Sequence, residues 1–431
     1  MRIAIIGGGV IGLTTAFALL AKGHGVDLFE QESDVAQATS FANGGQLSYR
    51  YVSPLADAGV PLQALSWMFK ADAPLRFRPR LSLQQWQWCA RFLLACRQSV
   101  NSRNGAHLLR LALYSQSVLH DWQDQGITDF SWRANGKLVI YRNDKNFRHA
   151  AEKITESATQ QVLDAKACVA AEPALAHLAH QLQGGIFSAG DEVGDCQLFC
   201  QQLLVRLQQN PNFTLHTGQR ITGLIKAQSR VRALQLENSL SQGRQAQGSQ
   251  AQAREFTVDQ LVVAAGMGSR RLLNNIDIKV PLYPLTGYSL TLPLADISTV
   301  PNTNVTDYDR KVVYARLDQQ LRVAAMVDIG GKDTGRDQAT IDAQRIASLR
   351  QLAQASFPDA GDFAQATPWA GLRPATPEGT PIIGASSINN LWLNLGHGSL
   401  GFTLACGSAE VLAHLINKET SPIALTGLQG H

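Results

Sequence analysis

The chain opens with an alternation of apolar runs and glycines that predicts a strand, a helix and a second strand. Residues 3–6 form an unbroken apolar run, which is typical of a buried parallel strand. Residues 13–22 are rich in alanine and leucine and predict a helix that ends at Gly23. A second apolar run, 26–29, leads directly to Glu30. This order predicts a strand–helix–strand unit at the start of the chain.

The glycines between the first strand and the helix have the G-x-G-x-x-G spacing of a dinucleotide-binding loop. Gly7 permits a tight turn, Gly9 lets the backbone approach a pyrophosphate, and Gly12 lets the helix lie close to the strand. Glu30 follows about 20 residues later and can accept the hydroxyls of an adenosine ribose. Because a helix N-terminus also attracts phosphate groups, the expected ligand is an adenine dinucleotide.

The same stretch also has the charge and apolar run of a signal peptide or a membrane span. Four glycines interrupt that run, and a targeting segment would give Glu30 no role. We therefore interpret the N-terminal segment as part of a nucleotide-binding domain.

Further along the chain, alternation and helical spacing of apolar residues predict the other elements. The expected strands are 137–141, 213–216, 231–237, 259–266, 281–292, 311–316, 321–327 and 391–395. The expected helices are 108–122, 146–161, 197–209, 341–357 and 402–417. Arg220 and Ile221 are expected at a turn, and the segment 239–254, rich in Gln, Ser, Ala and Gly, at a flexible hairpin tip.

Three acidic residues lie close together before the predicted helix 197–209. Asp195 is expected to cap this helix, since aspartate is a preferred N-cap residue. Asp191 and Glu192 are expected to be solvated, although three neighbouring carboxylates also suggest a metal site.

The C-terminal part of the chain repeats the strand, glycine loop and helix order of the N-terminus. The strand 391–395 is followed by the loop 396–401 and by the helix 402–417. The strand 259–266 ends on small residues, which lets a strand pass close to a dinucleotide. Because these segments are far from Gly7 in sequence, the nucleotide domain must be assembled from separate pieces.

Composition narrows the class of protein. The 431 residues are 45% hydrophobic and 17% charged, which is typical of a globular protein with more than one domain. The net charge of +4 is too small and too diffuse to indicate nucleic-acid binding. No later apolar run is expected to reach the length of a membrane helix. The six cysteines have no C-x-x-C or zinc spacing, so we expect buried free thiols and no metal.

The segment 61–100 combines aromatic and basic residues. Trp67, Trp86 and Trp88 lie here among six lysines and arginines, with Asp72 as the only acid. Such a mixture suits a membrane interface, where Trp67 and its neighbours 68–69 would meet the lipid headgroups. A core-packing segment with solvated arginines explains the pattern equally well.

Taken together, motifs along nearly the whole chain resemble those of the flavin amine-oxidoreductase family, which includes D-amino-acid oxidase, glycine oxidase and sarcosine oxidase. Within it the chain is most similar to the small subunits of bacterial D-amino-acid dehydrogenases. The resemblance rests on 7–12, 40–46 (SFANGGQ), 59–62 (GVPL), 67–69 (WMF), 194–199 (GDCQLF), 283–289 (YPLTGYS), 371–374 (GLRP), 391–394 (LWLN), 396–398 (GHG) and 405–408 (ACGS).

This resemblance implies an α/β fold in which a Rossmann-like, discontinuous FAD-binding domain carries a smaller α+β substrate domain with a mixed, largely antiparallel sheet. We expect the FAD-binding domain at 1–60, 187–275 and 371–431, and the substrate domain at 61–186 and 276–370. The expected FAD-binding residues are Gly7, Gly9, Val10, Ile11, Gly12, Glu30, Gln31, Ser40, Asn43, Gly44, Gly45, Gln46, Leu47, Arg220, Ile221, Ala265, Gly266, Gly396, His397, Gly398, Ser399, Leu400 and Gly401.

The resemblance also implies oxidation of an amino acid to an imino acid, which water hydrolyses to a 2-oxo acid. Arg373 matches the family's carboxylate-binding arginine, and a guanidinium can hold both carboxylate oxygens in one plane. His397 is expected beside the flavin. Tyr288 and Tyr314 are expected in the substrate pocket, ahead of two other candidates, Tyr49 and Tyr51.

The expected electron acceptor is a quinone, and the expected location is the cytoplasm or the cytoplasmic side of a bacterial inner membrane. Relatives tend to carry lysine where this chain has Thr286, which leaves the acceptor and the substrate range open. The alternatives are an oxygen-using oxidase of glycine, sarcosine or a proline derivative, a non-catalytic flavin relay subunit and an NAD enzyme.

Overall fold

A computed structural model describes residues 1–57, 59, 73–154, 159–239, 254–330 and 339–429. Its α-helices are α1 (Val10–Ala21), α2 (Leu83–Ala95), α3 (Gln98–Asp124), α4 (Asp144–Ala151), α5 (Ala165–Ala171), α6 (Cys196–Gln208), α7 (Gly268–Asn274), α8 (Ala343–Ser356) and α9 (Gly401–Ile416). The expectations for Trp67 and for most of the hairpin tip 239–254 lie outside the described residues.

The strands follow the same chain order. They are β1 (Arg2–Ile6), β2 (Gly25–Phe29), β3 (Gln46–Leu47), β4 (Leu75–Phe77), β5 (Lys137–Tyr141), β6 (Gln160–Asp164), β7 (Gly184–Ser188), β8 (Glu192–Val193), β9 (Phe213–His216), β10 (Gln219–Ala227), β11 (Arg230–Asn238), β12 (Arg254–Thr257), β13 (Gln260–Val263), β14 (Tyr283–Pro293), β15 (Asn304–Asp307), β16 (Val312–Leu317), β17 (Gln320–Ile329), β18 (Thr367–Ala375), β19 (Ile382–Ala385) and β20 (Leu391–Leu395).

The first sheet has six strands in the order β19-β20-β13-β1-β2-β9. All neighbours are parallel except β19 and β20, and β1 pairs with β13 from Ile3 to Ile6. Their apolar side chains are buried, as the unbroken runs predicted. Helix α1 packs against α9, which packs against α3. The predicted assembly of this layer from distant parts of the chain is confirmed.

The second large sheet is mixed and mostly antiparallel. Its order is β18-β14-β17-β16-β15-β5-β7-β6, and β4 also pairs with β17. The pairs β15–β5 and β17–β4 are parallel. A core of apolar residues lies between this sheet and α8. The predicted fold class is confirmed, whereas the domain boundaries stay a prediction, since β7 and β18 each cross one of them.

Two local predictions are wrong. The segment 146–161 is not one helix: α4 ends at Ala151, and residues from Gln160 onward form the edge strand β6. This strand pairs with β7 on one side only and has no buried residue, which explains its polar sequence. Arg220 and Ile221 lie within β10, paired with Glu237 and Leu236, and not at a turn.

The three acids before α6 have different environments. Asp195 caps α6 by accepting hydrogen bonds from the backbone N–H groups of Gln197 and Leu198, as predicted. The expectation that Asp191 and Glu192 are solvated is wrong, because both side chains are buried. Asp191 accepts from two N–H groups of the segment after β3. Glu192 accepts from Gln116, His120 and Trp132.

The C-terminal helix corrects another expectation. The stretch Gly398–Ile416 is long and apolar enough to cross a membrane, although no such run was expected after the N-terminus. Two-thirds of it is buried inside the fold, where α9 packs against α1 and α3. Its apolar character is therefore accounted for by its place in the core. The cysteines are free thiols and all but Cys89 are buried.

Candidate active site

A cleft, whose space including open solvent is about 1110 Å³, lies at the carboxyl ends of β1, β2, β13 and β20. Parallel sheets bind their ligands at this edge. Many of the predicted cofactor residues line it: Gly7, Gly9, Val10, Ile11, Glu30, Gln31, Ser40, Ile221, Ala265, Gly266, Gly396, His397, Gly398 and Gly401. Segments far apart in the sequence thus meet at one cleft.

The N-terminal glycine loop has the tight geometry that its spacing predicts. Gly7 has a φ of +113°, and a Cβ there would lie 2.6 Å from the carbonyl oxygen of Ala264. Gly12 is not among the residues that line the cleft. A Cβ there would lie 1.8 Å from the carbonyl oxygen of Gly7, so only glycine fits at this position. This glycine allows α1 to pack against the loop. The Val10 N–H donates to Ser40 Oγ at 3.0 Å, which joins the loop to the next part of the cleft.

Glu30 stands at the end of β2 with its carboxylate fixed. Its two oxygens accept hydrogen bonds from the N–H groups of Gly8, at 2.7 Å, and Glu32, at 2.9 Å. Burial raises the pKa of this carboxyl group. Each oxygen keeps a lone pair for a hydroxyl donor, so the arrangement suits a ribose.

Two glycines that line the cleft leave open space beside the backbone. Gly266 and Gly398 have φ values of +54° and +56°, and a Cβ at either would meet no protein atom within 4 Å. Any side chain at these positions would therefore project into the cleft. Together with the glycine loop and Glu30, this open cradle fits an extended dinucleotide such as FAD.

Other predicted cofactor residues lie between the cleft and the large sheet. The Asn43 carbonyl accepts from Arg322 at 2.8 Å, and the Gly45 N–H donates to Asn43 Oδ1 at 3.0 Å. The Gln46 amide donates to two carbonyls of the sheet. Gly44, Leu47 and Arg220 also lie outside the described lining. Residues 42–47 therefore fasten the cleft to the sheet in this structure.

Sequence reasoning missed several residues of the cleft, namely 36–39, Gln219, Met267, Gly268, Arg271, Leu372, Pro374 and Asn394. Arg271 could have been found, because it follows the predicted strand and Gly266 by one helical turn. Asn394 is fully buried at the end of a buried strand, and its Oδ1 has no hydrogen-bond partner among the described residues. A polar residue in such a run is a recognisable signal.

A second cavity, of about 510 Å³, adjoins the cleft, and His397 and Gly398 line both. Arg373, on β18, lines the second cavity, and its neighbours Leu372 and Pro374 line the cleft. Its guanidinium packs over Gly287 on β14, where a Cβ would lie 2.5 Å from Nη2. It has no hydrogen bond or ion pair within the part of the chain that the structure describes. Burial lowers the pKa of Arg373 to about 10, so the side chain stays cationic at neutral pH.

The predicted tyrosines lie elsewhere. The Tyr288 hydroxyl donates to Asp328 and that of Tyr314 to Ser356, both inside the core beneath α8. Tyr49 and Tyr51 are also enclosed, and the Lys137 ammonium lies over the Tyr51 ring. None of the four lines either cavity. The structure brings together Arg373 and His397 and leaves the tyrosines apart from them.

His397 is buried, and its Nε2 lies 3.0 Å from Ser408 Oγ. Burial lowers its pKa to about 3, so the imidazole is neutral at physiological pH. Because the His397 ring is neutral, Arg373 is the only cationic side chain among the described residues that line the second cavity.

The buried state of His397 predicts a pH-dependent stability. The unfolded chain binds a proton here below pH ~6.5, whereas the folded chain does so only near pH 3, so this group lowers stability as the pH falls through that window. We expect the difference in unfolding free energy between wild type and His397→Asn to shrink by about 2 kcal/mol from pH 7.5 to pH 5. Urea denaturation of the holoenzyme measures it.

The matched control is His149→Asn, which changes an exposed histidine. The difference in unfolding free energy between this variant and wild type should stay constant over the same pH range. A constant difference for His397→Asn as well would show that His397 is not held neutral.

Comparison with known proteins agrees with this geometry. Residues 2–415 match the model of the FAD dependent oxidoreductase family. The chain is 49% identical to D-amino acid dehydrogenase 2 of Pseudomonas aeruginosa, over 99% of this chain and 97% of the relative. It is 36% identical to D-amino acid dehydrogenase of Vibrio atlanticus, over 100% of this chain and 99% of the relative.

Solved structures with the same fold include glycine oxidase from Geobacillus kaustophilus, at a TM-score of 0.72 and 19% identity, covering 99% of this chain and 98% of that one. L-proline dehydrogenase from P. horikoshii has a TM-score of 0.70 at 14% identity, covering 100% of this chain and 96% of that one. With its dinucleotide cleft and a family match over nearly its full length, the chain belongs to the FAD-dependent oxidoreductase family.

Proposed function

We propose that this protein is an FAD-dependent dehydrogenase of D-amino acids. The substrate loses a hydride from Cα and a proton from its amino group, and water hydrolyses the imino acid to a 2-oxo acid and ammonia. FAD, when bound, supplies the hydride acceptor. Relatives named D-amino acid dehydrogenase at 36% to 49% identity support this substrate class.

The observation that carries the proposal is the unpaired guanidinium of Arg373 in the second cavity, which adjoins the cleft. Arg373 is partly buried, and a partly desolvated cation without an anion is unfavourable unless a ligand supplies one. A carboxylate can accept two parallel N–H···O bonds from a guanidinium, which fixes its position and its plane. Holding the substrate in this way would set its Cα against the cleft, and such positioning supplies much of the rate in hydride transfer.

The helix that follows His397 contributes to the cleft. The 3-10 turn 398–400 leads directly into α9, and neither has an acidic residue or a side-chain cap, so the first N–H groups of this helical run lie at a positive dipole end that no acid offsets. Gly401, at its start, lines the cleft. These donors can stabilise the negative charge that FAD gains on reduction. The buried walls around Arg373 and His397 would keep water away from the reacting carbon.

The proposal extends to a quinone acceptor at a bacterial inner membrane. Helix α2 exposes the apolar side chains of Leu83, Trp86, Leu93 and Leu94, and Leu81, two residues before the helix, is also exposed. Arg78 and Arg91 are about half exposed beside them. Aromatic, apolar and cationic groups on one surface suit contact with anionic lipid. An oxygen-using oxidase remains the alternative, and peroxide formed during turnover in air would support it.

The anchor role predicts a substitution phenotype at Arg373. Arg373→Met removes the charge, so D-alanine should reduce the flavin at least about 10³-fold more slowly at low substrate concentration, with Arg373→Lys between it and wild type. Anaerobic stopped-flow absorbance of the flavin measures both rates.

Arg103→Met, which removes an exposed arginine from α3, serves as the control and should behave as wild type. Unchanged reduction in Arg373→Met would remove the anchor. An enzyme should oxidise D-alanine as an isolated chain when a dye accepts the electrons. A relay subunit would show no such activity.

If this surface contacts lipid, exposed leucines of α2 should contribute to vesicle binding and exposed leucines of α3 should not. Leu93→Ser with Leu94→Ser should weaken binding to phosphatidylglycerol vesicles at least about fivefold in a sedimentation assay, because apolar area leaves the interface. Leu109→Ser with Leu113→Ser changes comparable exposed leucines of α3 and should have no effect. Equal binding by all three proteins would exclude this surface.

A further inference from the structure

The second cavity shares His397 and Gly398 with the cleft and is also lined by Arg373. We propose that its apolar wall, formed by Trp88, Phe92 and Leu285, selects amino acids with apolar side chains. This inference rests on the proposed function, since it assumes that Arg373 holds the substrate carboxylate. All three side chains belong to the lining of this cavity, together with Arg373.

The wall is rigid and offers no free polar group. The rings of Trp88 and Phe92 are stacked, with centroids 5.0 Å apart and planes 17° from parallel. Trp88 Nε1 donates to the carbonyl oxygen of Ala375 at 3.0 Å, so the only donor of the indole is occupied. The three wall side chains are buried, and an apolar ligand can therefore contact them without displacing a hydrogen bond.

The same strands hold the wall and the anchor at a fixed spacing. Leu285 on β14 pairs directly with Arg373 on β18. Ala375, which accepts the bond from Trp88, lies two residues after Arg373 on the same strand. A substrate held by its carboxylate at Arg373 would therefore place its side chain along this wall, because the same two strands hold Arg373 and the wall residues.

Charged side chains would find no partner in this cavity. Arg373 is the only charged side chain among the described residues that line it. Glu378, which lies in sequence between the lining residues Pro377 and Gly379, is not part of the lining and pairs with Arg91 at 3.0 Å. The Thr376 hydroxyl donates to the carbonyl oxygen of Thr380. A second carboxylate or an ammonium would have to be buried unpaired, which is strongly unfavourable.

The experiment compares anaerobic flavin reduction by D-leucine, D-alanine and D-glutamate. For the wild-type holoenzyme we expect a second-order rate constant at least about 100-fold higher for D-leucine than for D-glutamate. Phe92→Ala should lower the D-leucine to D-alanine ratio at least about fivefold, because contacts to the longer side chain are lost. Gln87→Ala, which changes an exposed residue of the same helix, should leave this ratio unchanged.

Phe92→Leu repeats the test with a smaller loss of packing, in case the alanine variant fails to retain FAD, and should shift the ratio in the same direction. An unchanged ratio in the folded variant, or equal use of D-glutamate and D-leucine by wild type, overturns the selective wall while leaving the anchor intact. If no amino acid reduces the flavin, the proposed function fails, and this inference fails with it.

Discussion

An unneutralised guanidinium beside the dinucleotide cleft is the constraint on which the site depends. Two buried arginines, Arg345 and Arg322, each have a carboxylate partner, Asp328 and Asp195 respectively. Arg373 has none among the described residues and keeps its charge although burial lowers its pKa. Paired arginines hold elements together, whereas an unpaired one is poised for an anion that arrives from outside. The missing side chain of Gly287 makes the room in which this guanidinium lies.

The rest of the architecture brings this cation to the cofactor. Antiparallel pairing of β14 with β18 fixes Arg373 on the large sheet, while the loop from β20 to α9 brings His397 and Gly398 from the other layer. The buried Asp191 holds the backbone after β3, which ties the loop behind the cleft to the large sheet through Asn43 and Arg322. The site therefore depends on contacts between segments that lie hundreds of residues apart.

The sequence predicts the parts of this arrangement that depend on local patterns. The glycine spacing, the unbroken apolar strands and the Asp195 cap were confirmed because each depends on neighbouring residues. The burial of Asp191 and Glu192 could not be predicted, since their partners come from remote segments. Tyr288 was expected in the substrate pocket, but side chains alternate along a strand, and Gly287 already faces Arg373. The cavity wall at Trp88 likewise depends on a contact with β18.

The most direct test of the central claim asks whether the site binds a carboxylate as such. The oxidised holoenzyme would be titrated with propionate and, separately, with propionamide, which has nearly the same shape and no charge, while the visible absorbance of the flavin is recorded. A carboxylate held by Arg373 next to the flavin predicts a saturable spectral change with propionate and none with propionamide at equal concentration. Equal responses to the two compounds, or no response to propionate, would contradict the account.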